Sequence, residues 1–273
     1  MSATLIRSLI ESRSGDMAAA EGNRGRDPEY LLDLLWRTHT PGTRGPRGSL
    51  SVDEVVRVAV EIADAEGIAG VSLRRIAQEL GVTSMTLYRY VPSKDDLLDL
   101  MFEMASGQPD TSGWPTDWRG GARAWCHAMR EVLLGSPWLF DIPIGAPPMG
   151  PNNLAWMEAA LSALDGVSLT DDDMVGVLMI LTGFVYGEAR QEVTMTSATA
   201  RTSVSYQDWG HVYAKMLGRV LTGDRYPTVA RVVQAGVFDS GASAEEDFDY
   251  GLDFLLDSVA ALIRRREDEE ARG

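Results

Sequence analysis

One short stretch of the chain, TSMTLYRY from Thr83 to Tyr90, concentrates side chains that can hydrogen-bond to another molecule. It combines three aliphatic hydroxyl groups, two tyrosines and Arg89, which is more hydrogen-bonding capacity than a helix needs for packing. Arginine can bond both acceptors of guanine, hydroxyl groups can bond base edges or phosphates, and Met85 or the Thr86 methyl group can pack on a thymine methyl. These residue types predict a helix that reads DNA, with Leu87 in the core.

The residues on either side predict the helices that would position this stretch. Ser51 and Glu54 form a capping box at the start of one helix. Ser72 caps a second, short helix of sequence LRRIAQEL, and a connection of two residues beginning at Gly81 joins it to the reading helix. Two short helices joined by so tight a turn indicate a helix-turn-helix, whose second helix enters the major groove. A fourth helix begins after a Ser93 cap.

The charge distribution separates this region from the rest of the chain. The formal net charge is −15, which by itself argues against a nucleic-acid partner, because Lys and Arg supply much of the affinity for phosphate. Residues 37–100, however, carry 8 basic against 9 acidic side chains, whereas residues 101–273 carry 13 against 25. The sequence therefore predicts a near-neutral DNA-reading domain attached to an acidic body.

The first 50 residues predict an extension with one short helix. Residues 1–28 are rich in Ser, Gly, Arg and Ala and are predicted to be flexible. The amphipathic run EYLLDLLWR predicts a helix that docks onto the body. Arg44 and Arg47 follow in a Pro- and Gly-rich segment, where an arm could reach into a minor groove. A linker whose arginines have no such role is the alternative for this segment.

The remainder of the chain reads as a series of helices without any strand pattern. The predicted segments are 117–134, 152–164, 170–196, 206–221, one starting at Pro227 and one from 244 to about 266, with a small-residue loop at 197–205. The predicted fold class is therefore all-α.

The run SLRRIAQELGVTSMTLYRYVPSKDDLLDLM resembles the signature of the tetracycline-repressor (TetR) family of regulators, nearly position by position. The segments GFVYGEARQE and YPTVARVVQAGVFDSGASAEEDFDYGLDFLLDSVA resemble the ligand-binding domain of the tetracycline repressor itself. The resemblance implies three regions: a flexible extension with a basic arm (1–50), a helix-turn-helix DNA-binding domain (51–105), and a helical ligand-binding and dimerisation domain (106–273).

Carried over to this sequence, the resemblance implies residue roles at the DNA. The implied groove-facing residues are Arg74, Ser84, Met85, Thr86, Tyr88, Arg89 and Tyr90, with Lys94 holding a phosphate. It also implies a homodimer that places two reading heads one helical turn apart on a palindromic operator. The last two helices would form the dimer interface, through Val229, Val233, Leu252, Leu255, Val259 and Leu262.

In the family, a small ligand in the sensing domain shifts the fourth helix and so changes the spacing of the two heads. The predicted lining is Met101, Met104, Trp125, Met129, Trp138, Phe140, Trp156, Phe184 and Tyr186, although each of these side chains alone is also an ordinary core residue. The chain departs from the tetracycline binder where Pro143 replaces the metal-holding histidine. A bulky hydrophobic molecule is therefore expected instead of a magnesium–tetracycline complex, with neither a metal nor another cofactor.

Motifs for other functions are weak. Cys126 and His127 are adjacent, and neighbours on a helix do not face each other, so they do not form a catalytic dyad. The three acids from Asp171 to Asp173 lack the glutamate that a calcium loop needs at its twelfth position. Neither a signal peptide nor a membrane-spanning segment is predicted, so the expected location is the cytoplasm. A helical small-molecule-binding module or an enzyme, without an operator-binding function, is the alternative.

Overall fold

A computed structural model of the chain describes residues 28–38, 50–143, 149–221, 225–239 and 241–272. In these ranges the regular secondary structure is entirely helical, which confirms the all-α prediction. The α-helices are α1 (Pro28–Leu35), α2 (Val52–Glu66), α3 (Leu73–Glu79), α4 (Ser84–Leu87), α5 (Lys94–Ser106), α6 (Trp118–Gly135), α7 (Pro151–Leu164), α8 (Asp171–Thr202), α9 (Tyr206–Val220), α10 (Pro227–Gln234) and α11 (Ala244–Glu270). Short 3-10 helices cover Ile68–Gly70, Pro137–Asp141 and Val237–Asp239.

Side-chain caps fix the starts of the N-terminal helices where the sequence predicts them. The serine hydroxyl oxygens accept backbone N–H groups three residues ahead, from Glu54 to Ser51 at 3.1 Å, from Arg75 to Ser72 at 3.2 Å and from Asp96 to Ser93 at 3.0 Å. Each bond satisfies one of the N–H groups that a helix leaves without a partner in its first turn. The boundaries of α2, α3 and α5 therefore follow from local sequence.

Two predicted helix lengths are wrong. The reading helix was expected from Thr83 to Tyr90, but regular α-helix covers only Ser84–Leu87, and turns follow. After Leu87 the N–H groups of Arg89 and Tyr90 bond to carbonyls three residues back, at 3.3 and 2.8 Å, so the chain tightens into turns instead of continuing as an α-helix. At the other extreme, α8 continues through the predicted loop to Thr202.

The chain divides into two compact units whose boundary, between Ile180 and Leu181, falls inside α8. In the first unit α2, α3 and α4 enclose a core, and α5 packs on α2. The core contains Val55, Val56, Ala59, Ile76 and Leu87, all fully buried. Because α5 also contacts α7, the helix after the reading head packs directly on the elements that follow it. The functional division at residues 105 and 106 remains a prediction.

In the second unit, α9 and α10 pack together and against the 3-10 helix at Val237–Asp239. The remaining part of α8 contacts α11, where the rings of Phe184 and Phe248 lie 5.2 Å apart. A Cβ atom added at Gly251 would lie 2.8 Å from the Phe184 ring, so the absence of a side chain at this position permits the close approach.

Candidate DNA-binding surface and sensing elements

A tight turn presents α4 next to α3. Gly81 adopts the left-handed conformation at φ 66°, which glycine reaches without steric cost. The Val82 N–H then bonds to the Ala77 carbonyl at 3.0 Å, and the Thr83 hydroxyl accepts the Thr86 N–H at 3.2 Å to start α4. The predicted helix-turn-helix is thus present, with the connection at Gly81.

The predicted groove-facing side chains of α4 and the turn after it differ in exposure. Met85 is 75% exposed and Tyr88 49% exposed, which leaves two large apolar surfaces in solvent. Arg89 is also exposed. Ser84, Thr86 and Tyr90 are half-buried, and the Thr86 hydroxyl lies 3.0 Å from that of Thr83. Leu87 is fully buried, as predicted, and holds this surface to the core.

The cations of the first unit fall into two groups. Arg37, Arg57 and Arg75 are held by carboxylates of Asp53, Glu61, Glu66 and Glu79, at distances from 2.5 to 3.3 Å. Arg74, Arg89 and Lys94 are exposed, and within the described part of the chain they form no ion pair. The three unpaired cations are the ones predicted to contact DNA. Arg44 and Arg47 lie outside the described residues.

Two buried tryptophans connect α6, α7 and the end of α5. The Trp125 indole N–H donates to the Trp156 carbonyl at 2.9 Å, and the two rings meet edge to face with centroids 6.3 Å apart. The Trp156 indole N–H donates in turn to the Ser106 and Gly107 carbonyls, at 3.0 and 3.1 Å. Both residues were predicted to line the effector pocket. The structure places them together in a hydrogen-bonded part of the core.

A buried glutamate makes a second connection between α5 and α7, one that the sequence reading missed. The carboxylate of Glu103 accepts the backbone N–H groups of Asn152 and Asn153, and also the Asn153 side-chain amide at 2.5 Å. The Asn152 side chain donates back to the Glu103 carbonyl at 2.9 Å. An acidic residue in the apolar run LLDLMFEMAS was the available signal. The carboxylate caps the start of α7 from another helix.

Trp138 contacts α2, which the sequence does not predict. It is buried, and its indole N–H donates to the Asp64 carboxylate near the end of α2 at 2.6 Å. This bond joins the turn after α6 to the first helix of the DNA-binding region. The indole N–H is therefore engaged by α2, and the role of the Trp138 ring in an effector pocket stays a prediction.

The other predicted lining residues are distributed over both units. Met101 is fully buried, and Met104, Met129 and Phe140 are half-buried, all in the first unit. Phe184 and Tyr186 belong to the second unit, where burial raises the pKa of Tyr186.

The N-terminal helix α1 packs on α5. Leu31, Leu34 and Leu35 are buried, and the Trp36 indole N–H donates to the Met149 carbonyl at 2.9 Å. The predicted docking of this helix is confirmed. Burial, and then the negative charge of Asp96 on α5, raise the pKa of the Tyr30 hydroxyl. The extension therefore touches the helix that follows the reading head.

Comparisons with known proteins decide the family. Residues 55–101 match the family described as "Bacterial regulatory proteins, tetR family", and residues 112–263 match "Tetracyclin repressor-like, C-terminal domain". The HTH-type transcriptional repressor DrrR1 of Streptomyces coeruleorubidus is 35% identical over 262 residues, covering 94% of this chain and 95% of the relative. The chain belongs to the TetR family. It is a ligand-responsive, DNA-binding transcriptional regulator, as the sequence predicts.

Two further relatives support the TetR assignment. The tetracycline repressor protein class E of Escherichia coli is 27% identical over 146 residues, covering 52% of this chain and 69% of that protein. The crystal structure of the TetR family protein ActR of Streptomyces coelicolor, in complex with actinorhodin, superposes with a TM-score of 0.63 at 26% identity. It covers 79% of this chain and 98% of ActR.

Membership of the TetR family confirms the prediction that the protein is not an enzyme. Burial raises the pKa of the Cys126 thiol to about 12, so the thiol stays protonated at neutral pH and is a poor nucleophile. Among the described residues, no three side chains of the metal-binding types cluster together, and no helix is long and apolar enough to cross a membrane.

The side chains predicted for the TetR dimer interface separate into buried and accessible ones. Leu252 is fully buried within the chain and Val259 nearly so, which leaves little of either side chain for contact with a second protomer. Leu255, Leu262 and Val233 are half-buried, and Val229 is exposed. The large apolar side chains that α11 exposes are not among the predicted interface residues. Tyr250 is 69% exposed and Phe254 60% exposed, with their rings in edge contact at 5.0 Å.

Proposed function

We propose that this TetR regulator is a homodimeric repressor that binds a palindromic operator and is released by a bulky hydrophobic molecule. The observation that carries the proposal is the surface around α4. There Arg74, Arg89 and Lys94 are exposed and unpaired beside the exposed Met85 and Tyr88. The other arginines of this domain, Arg57 and Arg75, are paired with carboxylates. Among the described residues of the domain, the unpaired positive charges therefore all lie at the proposed contact surface.

The cations around α4 are proposed to have different roles. Arg89 lies beyond the last residue of α4 and is assigned to a base edge, since its guanidinium can bond two acceptors of guanine. Lys94 is the first residue of α5, where unpaired N–H groups and the helix dipole favour a phosphate. Arg74, near the start of α3, is assigned to the groove, as the resemblance implies. Base contacts would give specificity, and phosphate contacts would give affinity.

The route from effector to DNA is proposed to run through α5 and α2. The carboxylate of Glu103 and the indole of Trp156 fasten the end of α5 to α7, and Trp138 fastens α2 to the turn after α6. A displacement of α6 or α7 would therefore be transmitted to both helices. The effector can release DNA only by binding the displaced arrangement more tightly than the one that fits the operator.

The proposed effector class rests on the types of side chain at the predicted pocket positions. By the resemblance to the tetracycline repressor, Trp125 and Met129 stand where that protein has polar contacts to tetracycline, and Pro143 stands where it has the histidine that holds the metal. Aromatic and methionine side chains suit an adaptable apolar pocket. ActR, a TetR relative, was crystallised with actinorhodin and with (S)-DNPA. Binding to operator DNA would place this protein in the cytoplasm.

The operator test compares the intact chain with one variant and a matched control. The intact chain should retard the DNA upstream of its own gene in a gel shift, with an affinity that falls as salt rises. Arg89→Ala should weaken this binding by about 1–3 kcal/mol and relax base preference at one position. Arg264→Ala, an exposed arginine of α11, should leave the affinity unchanged. Failure of the intact chain to bind that region or any neighbouring promoter would refute operator binding.

A further inference from the structure

A cavity of about 500 Å³ lies in the second compact unit, and none of its lining residues belongs to the predicted effector pocket. Its walls come from the C-terminal half of α8, from α9, from the 3-10 helix at Val237–Asp239 and from the first turn of α11. A cavity of this size is large enough for a small organic molecule. Five of the lining residues belong to α9, a helix for which the sequence predicts no function.

Aromatic side chains dominate the lining of this cavity. Tyr206, Trp209 and Tyr213 contribute from α9, and Phe238 contributes from the 3-10 helix. The rings of Tyr213 and Phe238 meet edge to face, with centroids 5.4 Å apart. Gly210 brings the two elements this close, because a Cβ atom at that position would collide with the Phe238 carbonyl oxygen. The arrangement presents aromatic surfaces from two elements to one space.

Trp209 also supplies an unused hydrogen-bond donor. Its indole nitrogen is buried, and within the described part of the chain it has no hydrogen-bond partner. A buried N–H group without a partner loses its hydration without compensation, which is why such groups are rare in folded proteins. Because its own chain encloses this nitrogen, a ligand in the cavity would contact the Trp209 ring and not this donor.

The electrostatics of the cavity are negative. Asp247 lines it and accepts a hydrogen bond from the Tyr206 hydroxyl at 3.1 Å, and none of the lining residues is a lysine or an arginine. Burial raises the pKa of Tyr206 to about 12, aided by the bond to Asp247 and by the charges of Asp247, Glu188 and Glu192. Three carboxylates thus act on one hydroxyl group. An anion would be repelled here, whereas a cation would reduce the mutual repulsion of the carboxylates.

We propose that this cavity is a second ligand site, which binds an organic cation bearing an aromatic or quaternary ammonium group. The rings of Trp209, Tyr213 and Phe238 present π-surfaces that attract a weakly hydrated cation. Asp247, which lines the cavity, provides the countercharge. This site is independent of the proposed effector pocket, and its occupancy does not require DNA.

The test uses calorimetric titration of the full chain, without DNA, with two benzoate esters. Benzoylcholine has a phenyl ring, an ester carbonyl and a trimethylammonium group. In its carbon isostere, the dimethylbutyl ester of benzoic acid, a carbon atom replaces the nitrogen, so the shape is kept and the charge is lost. Benzoylcholine should bind about tenfold more tightly than the isostere. Equal affinities, or no detectable binding of benzoylcholine, would overturn the proposal.

Three variants locate the binding. Asp247→Asn removes the charge at nearly constant shape and should weaken benzoylcholine about tenfold while hardly affecting the isostere. Trp209→Leu removes one π-surface from the lining and should weaken benzoylcholine more than the isostere. Asp257→Asn, an equal change of charge farther along α11 and outside the lining, should change neither affinity. If Asp247→Asn and Asp257→Asn behave alike, the cation binds elsewhere and the assignment of this cavity is wrong.

Discussion

At the scale of single residues, Glu103 joins the helix that follows the reading head to the sensing elements. Its buried carboxylate accepts two backbone N–H groups and one side-chain amide at the start of α7. Glu103→Gln replaces one acceptor oxygen with a donor that faces other donors. We expect a loss of about 1–3 kcal/mol in the free energy of unfolding, measured by urea denaturation.

The matched control for this change is Glu158→Gln, an exposed glutamate on α7. It should alter the free energy of unfolding by no more than about 0.5 kcal/mol. Equal stability of Glu103→Gln and the intact protein would show that the carboxylate contributes nothing to joining α5 and α7.

Cys126 gives a second prediction at this scale. Burial raises its thiol pKa to about 12, so the thiolate that attacks a disulfide is scarce at neutral pH and is also enclosed. The native protein should leave a chromogenic aromatic disulfide reagent unreacted at neutral pH, and one thiol per chain should react after unfolding in urea. Rapid reaction of the native protein would place Cys126 at an accessible surface.

Residues whose partners are close in sequence could be predicted, and those with distant partners could not. The caps at Ser51, Ser72 and Ser93 each bond three residues ahead, so composition and spacing are sufficient to find them. The indole of Trp138 bonds a carboxylate 74 residues earlier, and Glu103 bonds a helix start 49 residues later. No local pattern encodes either pairing, so neither bond can be predicted from the sequence.

At the scale of elements, the length of α8 shows how small polar residues can extend a helix. The segment after Thr196 was predicted as a loop, because serines and threonines compete with the backbone for hydrogen bonds. In the structure the hydroxyls of Thr194, Thr199 and Thr202 donate to carbonyls four residues earlier, at 2.8 to 3.1 Å. A hydroxyl that bonds to a carbonyl of its own helix does not compete for backbone groups in a non-helical conformation. Composition alone therefore placed the end of α8 too early.

The docking of α1 on α5 leads to a prediction for the N-terminal extension. Leu34 is buried in this contact, whereas Leu32 on the same helix is 42% exposed. Leu34→Ala leaves a cavity and should lower the free energy of unfolding by about 2–5 kcal/mol in urea denaturation. Leu32→Ala makes the same chemical change at the surface and should cost far less. Equal effects of the two substitutions would mean that α1 is not packed on the body.

At the scale of the whole molecule, the charge distribution favours one end of the chain for DNA. Residues 37–100 are nearly neutral by count, but ion pairs neutralise several arginines and leave Arg74, Arg89 and Lys94 available. The remaining sequence is strongly acidic and repels phosphate. A single reading head with so few available cations would bind weakly, because affinity grows with the number of phosphates neutralised. Two heads on one operator would double that number, which supports the proposed dimer.

The proposed dimer can be tested through the apolar side chains that α11 leaves in solvent. Phe254 is 60% exposed and in contact with Tyr250, and Val220 on α9 is 68% exposed. If α11 forms the interface, Phe254→Glu places two unpaired carboxylates near the symmetry axis, and burying each of them costs several kcal/mol. Light scattering should then report the mass of a monomer, and operator affinity should fall with it. Val220→Glu should keep the mass of the dimer, whereas a dimeric Phe254→Glu would place the interface elsewhere.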